Sequence, residues 1–443
     1  MTEARRAAAR IAYLAHHDAL TGLPNRPHLI ESLQTALGAA SEQRRRCALI
    51  LIDLDRFKTI NDTLGHLAGD QLLEQVARCL ESVISDDMTA GRLGGDEFAV
   101  VVPEVESRGE VEGLCLALVS ALQGPFHHEG QRMLVGASIG VAVGPRDGAT
   151  VEELIRNGDL ALYRAKSGPG NDICFYEPML HAKSEERRTV ELGLRGAVEA
   201  GELSLNYQPM VDAKSGRIES FEALLRWNDA KLGAVPPAKF IPIAEETGLL
   251  GKIGEWVLRT ACREAAQWPP DVSLAVNVSP RQVQDPGFPV TLMSALTQAG
   301  LEPHRLELEV TENVFLAPGD GAPRVLQQIR NLGIRLAIDD FGTGYSSLGY
   351  LRRAEFDTLK IDRSFVQGIS AEDPESLAII KAVVALARSL GMRTVAEGVA
   401  THGQLELVRS LGCDLVQGYV FSRAVAAETV LAMLGNCRHS AAA

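Results

Sequence analysis

Up to Tyr176, short apolar runs alternate with segments of helical spacing. The runs predict strands because they are rich in β-branched residues and too short for helices. Gly94 and Gly95 separate two of them and indicate a hairpin, since glycine tolerates positive φ. These elements predict an α+β sheet domain with helices packed on it. Its predicted strands are Cys47–Asp53, Met88–Arg92, Phe98–Val102, Leu134–Val143 and Ile173–Tyr176, and its predicted helices are Gly69–Ser85, Arg108–Leu122 and Val151–Lys166.

Beyond Gly201 the pattern changes to eight short apolar runs, each separated from the next by polar or helical segments. Eight strands alternating with helices predict an α/β fold, a TIM-like (β/α)8 barrel. The predicted barrel strands are Leu203–Tyr207, Phe221–Leu225, Ser273–Val278, Leu306–Val310, Arg335–Ile338, Thr358–Ile361, Thr394–Ala396 and Leu415–Val416.

The segment between the two patterns is rich in charged residues and in helix formers. Lys183, Glu185 and Glu186 stand close together there, which favours a solvated helical linker. The first residues have the character of an amphipathic helix. The predicted organisation is a helix at 1–17, the sheet domain at 18–177, the linker at 178–200 and the barrel at 201–436.

Composition narrows the classes of function. The formal net charge is −13 and the pI is about 5.4, which argues against the basic surface that DNA or RNA binding requires. The seven cysteines are scattered singly, without a CxxC pair, as expected of reduced thiols in a cytoplasm. No apolar run approaches the roughly 20 residues of a membrane-spanning helix. We therefore expect a cytoplasmic protein.

Polar residues stand at or near the ends of nearly all the predicted barrel strands. Barrel enzymes build their active sites at this face. Two carboxylates about 4 Å apart repel by roughly 4 kcal/mol at an effective dielectric of 20, so converging acids need a cation among them. Oxygen ligands favour Mg²⁺ or Mn²⁺. The residues concerned are Glu222, Asn277, Glu309, Asp339, Asp340, Lys360, Glu397 and Gln417.

The motifs around these residues resemble those of the EAL phosphodiesterases, which hydrolyse cyclic-di-GMP. The resemblance covers about Leu203 to Ser422 and includes many motifs in the family's order. They are Glu222-Ala223-Leu224 with Arg226, Asn277 in NVS, Glu309 in ELEVTE, DDFGTGYSSL from Asp339, Lys360 in LKID, AEGV from Ala396, and Gln417-Gly418-Tyr419.

The resemblance implies a role for each matching residue. Glu222, Asn277, Glu309, Asp339, Asp340 and Glu397 would hold one or two metal ions, with Glu222 and Glu397 also counted as catalytic. Lys360 would orient or activate the attacking water, and the product would be linear pGpG. Gln208, Arg226 and Gln417 would bind the substrate. Glu312 would anchor the glycine-rich loop that contains Gly342 and Gly344.

One departure from the family concerns the metal site. Ala400 stands where the family shows a second glutamate after AEGV. Losing an acid that supports metal ligands commonly weakens metal affinity 10- to 100-fold. We therefore expect reduced but not abolished hydrolysis. A second departure, Ala424 in place of a proline, matters less.

The first domain resembles the diguanylate cyclases from about Asp18 to Tyr176. The motifs are DALTGLPNR (Asp18–Arg26), DLDRFKTIND (Asp53–Asp62), GHLAGD (Gly65–Asp70), GGDEF (Gly94–Phe98) and SIGVA (Ser138–Ala142). The resemblance implies that Asp53 and Asp96 bind Mg²⁺ and that Glu97 helps to deprotonate the attacking 3′-hydroxyl of GTP. Asn61 and Asp70 would contact guanine, while Lys58 and Lys166 would contact phosphates.

Two departures weaken the cyclase prediction. Pro169-Gly170-Asn171 stand where the family has GRN, which removes a phosphate-facing arginine. Ser85–Met88 read SDDM where the family carries its RxxD product-inhibition motif. We expect weak synthesis of cyclic-di-GMP from two GTP molecules, or binding of GTP that regulates the barrel, and no feedback through the RxxD site.

Two other functions explain less of the sequence. One is a non-catalytic receptor for cyclic-di-GMP and GTP, although the acids named above are all present. The other is a glycosidase on the same barrel, which explains neither Asn277 nor Lys360. By resemblance, GTP and cyclic-di-GMP are the expected ligands, and a homodimer is the expected assembly. An upstream sensor is an expected partner of the first helix. Through it the chain would be the cytoplasmic part of a larger membrane-linked protein.

Overall fold

The computed structural model of the chain describes residues 13–128, 130–167, 173–315, 321–342, 355–368 and 374–440. The chain divides into two compact units, Met1–Glu186 and Arg187–Ala443. Residues 13–16 are helical and His17 forms an isolated β-bridge with Pro24, whereas residues 1–12 of the predicted helix lie outside the described residues. No helix in the described part of the chain is long and apolar enough to cross a lipid bilayer.

The first unit is built on a five-stranded sheet with the order β2-β3-β1-β6-β7. β1 lies in the middle and pairs antiparallel with β3 and β6, while β7 runs parallel to β6. A separate two-stranded sheet holds β4 and β5. The strands are β1 Cys47–Asp55, β2 Thr89–Gly94, β3 Glu97–Val102, β4 Phe126–His128, β5 Gln131–Met133, β6 Gly136–Gly144 and β7 Ile173–Phe175.

Helices cover both faces of this sheet. Successive side chains of a strand point to opposite faces, and β1 follows this rule. Ile50 and Ile52 pack with Leu72 in one core cluster, whereas Leu49 and Leu51 belong to a second cluster with other helices. The predicted α+β sheet domain is confirmed. Its helices are α1 Arg26–Gln43, α2 Phe57–Leu64, α3 His66–Val83, α4 Arg108–Leu122 and α5 Val151–Ser167.

The helix that follows, α6 (Met179–Leu194), corresponds to the predicted linker. This helix is not simply solvated. Leu180 is buried in a core cluster of the first unit, and Val190 and Leu194 are buried in the core of the second. The apolar residues of this segment therefore contribute to packing. The high charge content of the sequence did not indicate this.

The second unit is a closed barrel, as predicted. The sheet runs β9-β11-β12-β13-β14-β15-β16-β8, and β8 pairs with β9 to close it. All eight predicted strands are present. The barrel strands and two short additions are β8 Leu203–Asp212, β9 Ile218–Asp229, β10 Gly233–Val235, β11 Ser273–Asn277, β12 Leu306–Thr311, β13 Arg335–Phe341, β14 Thr358–Ile361, β15 Arg393–Ala396, β16 Leu415–Gln417 and β17 Val425–Ala426.

The first barrel strand runs in the opposite direction from the others. β8 is antiparallel to both β9 and β16, whereas the other barrel strands pair in parallel. A parallel crossover needs a dozen or more residues, but only a short turn joins Asp212 to Ile218. Asp212 Oδ1 accepts hydrogen bonds from Lys214 N and Ser215 N within this turn. The turn therefore forces a hairpin.

Helices surround the barrel, and two 3₁₀ turns lie beside β12, at Pro303–Arg305 and Glu312–Phe315. The core cluster of this unit draws on nearly all of these elements, with Trp227, Tyr207 and Phe240 among its largest buried side chains. The helices are α7 Pro237–Glu246, α8 Leu250–Ala265, α9 Pro280–Gln284, α10 Phe288–Ala299, α11 Gly321–Asn331, α12 Arg363–Gln367, α13 Pro374–Ser389, α14 His402–Leu411 and α15 Ala427–Ser440.

Candidate active site

The barrel brings the predicted polar residues to one mouth. Parallel pairing aligns the strand ends, so that Asn277 on β11 lies opposite Glu309 on β12. Gln208 on the antiparallel strand β8 lies opposite Glu222 on β9. A cavity of about 250 Å³ opens here. Among the residues lining it are Gln208, Glu222, Asp339, Lys360, Glu397 and Gln417.

Lys360 is the centre of the cluster. Its side chain is only 1% exposed, and its Nζ lies 2.7 Å from Glu309 Oε2 and 2.7 Å from Glu397 Oε1. Asp339 Oδ1 is 3.2 Å away and Glu222 Oε2 is 3.8 Å away. Burial alone would lower the pKa of the ammonium, but the surrounding carboxylates outweigh it and raise the pKa well above its usual value. The raised pKa favours the protonated, positively charged form of Lys360.

Glu222 is held in one orientation by two amides. Asn277 Nδ2 donates to Glu222 Oε1 at 2.5 Å, and Gln417 Nε2 donates to Glu222 Oε2 at 2.6 Å. Burial disfavours the charged form, yet Lys360 and these hydrogen bonds lower the net pKa of Glu222. The lowered pKa favours the ionised form of Glu222, and both of its carboxylate oxygens accept a hydrogen bond.

The pKa values of the other two glutamates, Glu309 and Glu397, are raised. Burial, reinforced by the charge of Glu222, raises the pKa of Glu309 well above its usual value. Burial also raises the pKa of Glu397 to about 7, with Asp339 and Glu222 adding to the effect against the attraction of Lys360. One lysine thus does not neutralise all the acids that the barrel brings together.

Asp339 and Asp340 share the mouth because β13 contains a bulge. Between its pairs with β14, the chain advances from Ile338 to Phe341 while β14 advances only from Leu359 to Ile361. The extra residue is accommodated by Asp340 in the left-handed region, at φ 54°. Consecutive strand residues would otherwise face opposite sides.

Asp339, Asp340 and Glu397 form a group that fits a divalent cation. Each offers a carboxylate oxygen, and these oxygens lie within 4.8 Å of one another. Burial raises the pKa of Asp340 to about 6, and the charges of Asp339 and Asp362 add to this. Glu309 Oε1 is buried without a hydrogen-bond partner among the described residues. A donor set of oxygens with surplus negative charge matches the preference of Mg²⁺ or Mn²⁺.

The other predicted residues of the barrel site lie around this group. Gln208 accepts a hydrogen bond from Gln417 Nε2 at 3.2 Å and donates one to Ser422 O at 3.3 Å, so it contacts one of the two amides that hold Glu222. Arg226 is half-buried and shares the face of β9 that carries Glu222, four residues earlier.

Glu312 and Ala400, both named in the sequence analysis, also lie in this part of the barrel. Glu312 Oε1 accepts a hydrogen bond from Gly342 N at 2.9 Å, while Gly344 lies outside the described residues. Ala400 lines the cavity and contributes no polar side-chain atom, although its backbone N–H donates to Gln404 Oε1 at 2.8 Å.

In the first unit, Asp53 on β1 lies opposite Glu97 on β3, next to the turn that contains Asp96. Gly95 takes φ 54° in that turn, as the hairpin prediction requires. Lys166 Nζ lies 2.6 Å from Asp53 Oδ2. Burial raises the pKa of Asp53, and Lys166 only partly offsets this because Asp96 and Glu97 add negative charge. Lys166 therefore contacts an acid of the same site in this structure.

The residues predicted to contact guanine lie on α2 and α3. Asn61 fills the space next to Gly69, where an added Cβ would lie 2.0 Å from Asn61 Oδ1. Asp70 follows this glycine and is exposed, as is Lys58 on α2. Pro169-Gly170-Asn171 lie outside the described residues.

Three further residues contact the predicted sites and were not assigned a role from the sequence. Arg92 forms an ion pair with Asp18 at 3.1 Å and donates to Gly95 O at 2.7 Å, so it fixes the turn beside Asp96. Burial opposes ionisation of Asp18, but hydrogen bonds from Thr21 and Arg92 outweigh it and lower its pKa. In the barrel, Asp362 interacts with Asp340 and caps α12 through Ser364 N. All three stand in or beside the motifs that contain predicted site residues, and this proximity in sequence could have identified them.

Comparison with known proteins agrees with this geometry. A family model described as EAL domain matches residues 192–424, and one described as diguanylate cyclase, GGDEF domain, matches residues 15–172. The chain belongs to the tandem GGDEF–EAL family.

Named relatives match along nearly the whole chain. The bifunctional diguanylate cyclase/cyclic di-GMP phosphodiesterase MucR of Pseudomonas aeruginosa is 41% identical, over 97% of this chain and 63% of MucR. The cyclic di-GMP phosphodiesterase NbdA of the same organism is 38% identical, over 94% of this chain and 53% of NbdA. The chain thus spans between about half and two thirds of the length of these relatives.

A solved structure covers the barrel. The MucR phosphodiesterase in complex with c-di-GMP is 43% identical to this chain, with a TM-score of 0.53, and the match covers 55% of this chain and 99% of the solved one.

The central position of Lys360 leads to a prediction about stability. Lys360→Met leaves buried carboxylates without their cation, so the free energy of unfolding of the metal-free barrel falls by roughly 3 kcal/mol near pH 8. The loss becomes smaller near pH 5, where the acids take up protons. The three tryptophans, Trp227, Trp256 and Trp268, all lie in the barrel unit, so urea unfolding followed by tryptophan fluorescence measures it.

The exposed lysine Lys381 on α13 offers a matched control. Lys381→Met is expected to change the unfolding free energy little at either pH. An equal loss for Lys360→Met at both pH values would contradict the electrostatic explanation.

Proposed function

We propose that the barrel hydrolyses cyclic-di-GMP to linear pGpG with a divalent cation, Mg²⁺ or Mn²⁺. The observation that carries this is the group of Asp339, Asp340 and Glu397, whose ligand oxygens lie within 4.8 Å of one another beside a buried lysine. Membership of the GGDEF–EAL family and the names of MucR and NbdA support the same substrate.

The residues that would hold the cation are those of the mouth. Asp339, Asp340 and Glu397 form the central set, with Glu222, Glu309 and Asn277 completing it. A bound divalent cation supplies Lewis acidity and a coordinated water of lowered pKa. Glu222 contributes a fixed negative charge, because Asn277 and Gln417 prevent its rotation. Arg226 would pair with a phosphate oxygen through its guanidinium.

Lys360 acts as a hydrogen-bond donor in this proposal. The carboxylates around it raise its pKa, so it stays protonated and does not accept the proton of the attacking water. Its ammonium would orient that water and stabilise negative charge that develops on the phosphate. Ala400 supplies no carboxylate to the cavity it lines, and we expect slower hydrolysis for this reason.

For the first unit we propose GTP binding with weak synthesis of cyclic-di-GMP. Asp53 and Asp96 would hold Mg²⁺, and Glu97 would help to deprotonate the 3′-hydroxyl. Asn61 and Asp70 would contact guanine, and Lys58 would contact phosphate. Lys166 would exchange its ion pair with Asp53 for a phosphate when the nucleotide binds. Such catalysis consists mostly of positioning and charge neutralisation.

Two related proposals concern assembly and regulation. Synthesis from two GTP molecules needs two half-sites, so the first unit would work as a homodimer. The segment predicted as a helix at 1–17 would connect to an upstream sensor. If the first unit binds GTP without turnover, it would regulate the barrel instead, and a chain that binds both nucleotides without turnover would be a receptor.

The first experiment tests hydrolysis directly. Purified protein incubated with cyclic-di-GMP and Mn²⁺ is expected to form pGpG, measured by ion-exchange chromatography. Asp339→Asn is expected to lower kcat at least ~100-fold because it removes a carboxylate from the cation site. Glu199→Gln, at an exposed acid outside the mouth, is the matched control. Binding of cyclic-di-GMP without any pGpG would exclude hydrolysis and favour the receptor.

The second prediction concerns pH. Glu397 has a pKa of about 7 in the metal-free site and Asp340 one of about 6. Because a ligand must lose its proton before it binds metal, Mn²⁺ affinity is expected to fall as the pH drops below about 7, by up to ~10-fold per unit. Isothermal titration calorimetry at several pH values measures this.

Glu397→Gln serves as the control for this pH dependence. The variant binds Mn²⁺ more weakly, but the fall just below pH 7 should largely disappear. A wild-type affinity that stays constant between about pH 8 and about pH 6 would contradict the assignment of Glu397 as a ligand.

The third prediction concerns synthesis. In an Asp339→Asn background, which preserves any product, GTP and Mg²⁺ are expected to yield a small amount of cyclic-di-GMP. Adding Glu97→Gln removes the base and should lower the yield at least ~10-fold. Glu81→Gln, an exposed acid on α3, is the control. Equal yields with and without Glu97 would refute its role.

A further inference from the structure

Gln404 connects two segments that border the mouth of the barrel. It lies in the first turn of α14, the helix that follows β15. Its half-buried side-chain amide hydrogen-bonds both with the segment that begins at Glu397 and with the end of α12. The helix α12 follows the strand that carries Lys360. Glutamines are common in the first turn of a helix because they complete capping boxes, so the position of Gln404 alone carries no meaning.

The oxygen of this amide holds the segment after β15. Gln404 Oε1 accepts hydrogen bonds from Thr401 N at 3.1 Å and from Ala400 N at 2.8 Å. The bond from Thr401 N belongs to the capping box of α14, in which Thr401 Oγ1 accepts from Gln404 N at 3.2 Å. The bond from Ala400 N is additional to that box. Because the side chain of alanine has no polar atom, position 400 is held through its backbone.

The nitrogen of the amide reaches a different element. Gln404 Nε2 donates to Val366 O at 3.3 Å and to Gln367 O at 3.4 Å. These carbonyls lie in the last turn of α12, where the C=O groups of a helix have no regular partner within it. Arg363 and Gln367 of α12 line the cavity. A glutamate at position 404 could accept the same two backbone hydrogen bonds, but as a carboxylate it could not donate to either carbonyl.

The segment 397–401 packs on the same elements at its other end. It has no regular secondary structure up to position 400. Glu397 N donates to Ile361 O, at the end of β14, at 3.1 Å. Gly398 lies so close to α12 that an added Cβ would come within 2.6 Å of Arg363 Cβ. Contacts with β14 and α12 therefore fix the segment where it begins, and Gln404 fixes it to α12 where it ends.

From these contacts we propose that Gln404 is a positioning residue, which keeps the carboxylate of Glu397 at its place beside Lys360 in the cation site. The two side chains lie 2.7 Å apart but come from different strands. Their separation therefore depends on how the segment after β15 packs on α12. Residues that orient metal ligands commonly change metal affinity about 10- to 100-fold when they are replaced. The inference rests on the proposed function of the barrel, in which Glu397 is a ligand.

Gln404→Glu separates positioning from helix capping. The variant keeps the acceptor of the capping box but places a carboxylate oxygen against the two carbonyls of α12. Isothermal titration calorimetry is expected to show about 10-fold weaker binding of Mn²⁺. At a fixed Mn²⁺ concentration below saturation, kcat for cyclic-di-GMP should fall several-fold, with KM within about 2-fold of wild type.

Thr401→Ala is the matched control. It removes the hydroxyl that caps α14 and leaves both hydrogen bonds from Gln404 to α12 in place. The loss of a helix cap is expected to lower the midpoint of urea unfolding. Mn²⁺ affinity should stay within about 2-fold of wild type, because this substitution affects capping and not the connection to α12.

A double-mutant cycle tests whether Gln404 acts through Glu397. In a Glu397→Gln background, Gln404→Glu is expected to cause less than about 2-fold further loss of Mn²⁺ affinity, whereas the losses from independent residues would multiply. The uncharged variant Gln404→Met goes through the same cycle and decides the result should Gln404→Glu not fold.

The results distinguish this inference from the proposed function. Hydrolysis by wild type, with Mn²⁺ affinity and kcat unchanged in Gln404→Glu, would overturn the positioning role and leave the proposed function intact. Losses that multiply in the Glu397→Gln background, or an equal loss of affinity in Thr401→Ala, would also overturn it. A protein that forms no pGpG, but whose Mn²⁺ affinity depends on Gln404 only when Glu397 is present, would support the positioning role and refute the proposed reaction.

Discussion

The charge of Lys360 is the constraint on which the barrel site depends. The fold draws four carboxylates to within 4 Å of one ammonium that is almost completely buried. Without that ammonium the acids would repel one another by several kcal/mol per pair. With it, the site still carries surplus negative charge, as the raised pKa values of Glu309 and Glu397 indicate. The protein thus holds the acids together and leaves room for a further cation.

The sheet unit also places a lysine beside acids that would otherwise repel one another. Asp53 lies on a central strand beside Asp96 and Glu97, and Lys166 from the end of α5 supplies the compensating charge. The difference is exposure, because the side chain of Lys166 is 40% exposed and that of Lys360 is 1% exposed. A lysine near the surface can change partners when a nucleotide arrives, whereas Lys360 is held by the barrel.

Much of this arrangement could be predicted from sequence, and the exceptions have physical causes. The apolar run Cys47–Asp53 predicted a strand, although not its central position in the sheet, and eight such runs predicted the barrel. Direction is not encoded in a hydrophobic run, so the antiparallel course of β8 was visible only in the short turn after Asp212. The sequence predicted that a cation must lie among the acids, but not that Lys360 would lie at their centre. The central position of Lys360 depends on how β12, β14 and β15 align in the barrel, and the order of residues along the chain does not reveal that alignment.

The reversed first strand has a mechanical consequence. Because β8 is antiparallel to β9, its first residue Leu203 pairs with Trp227, near the end of β9 that faces the mouth. Glu202, just before it, accepts hydrogen bonds from Asn228 N and from the Trp227 indole. The polypeptide therefore joins the barrel at the end that carries the mouth rather than at the opposite end. Tension or torque applied through α6 would act first on β8, whose Ser204 pairs with Arg226 on β9.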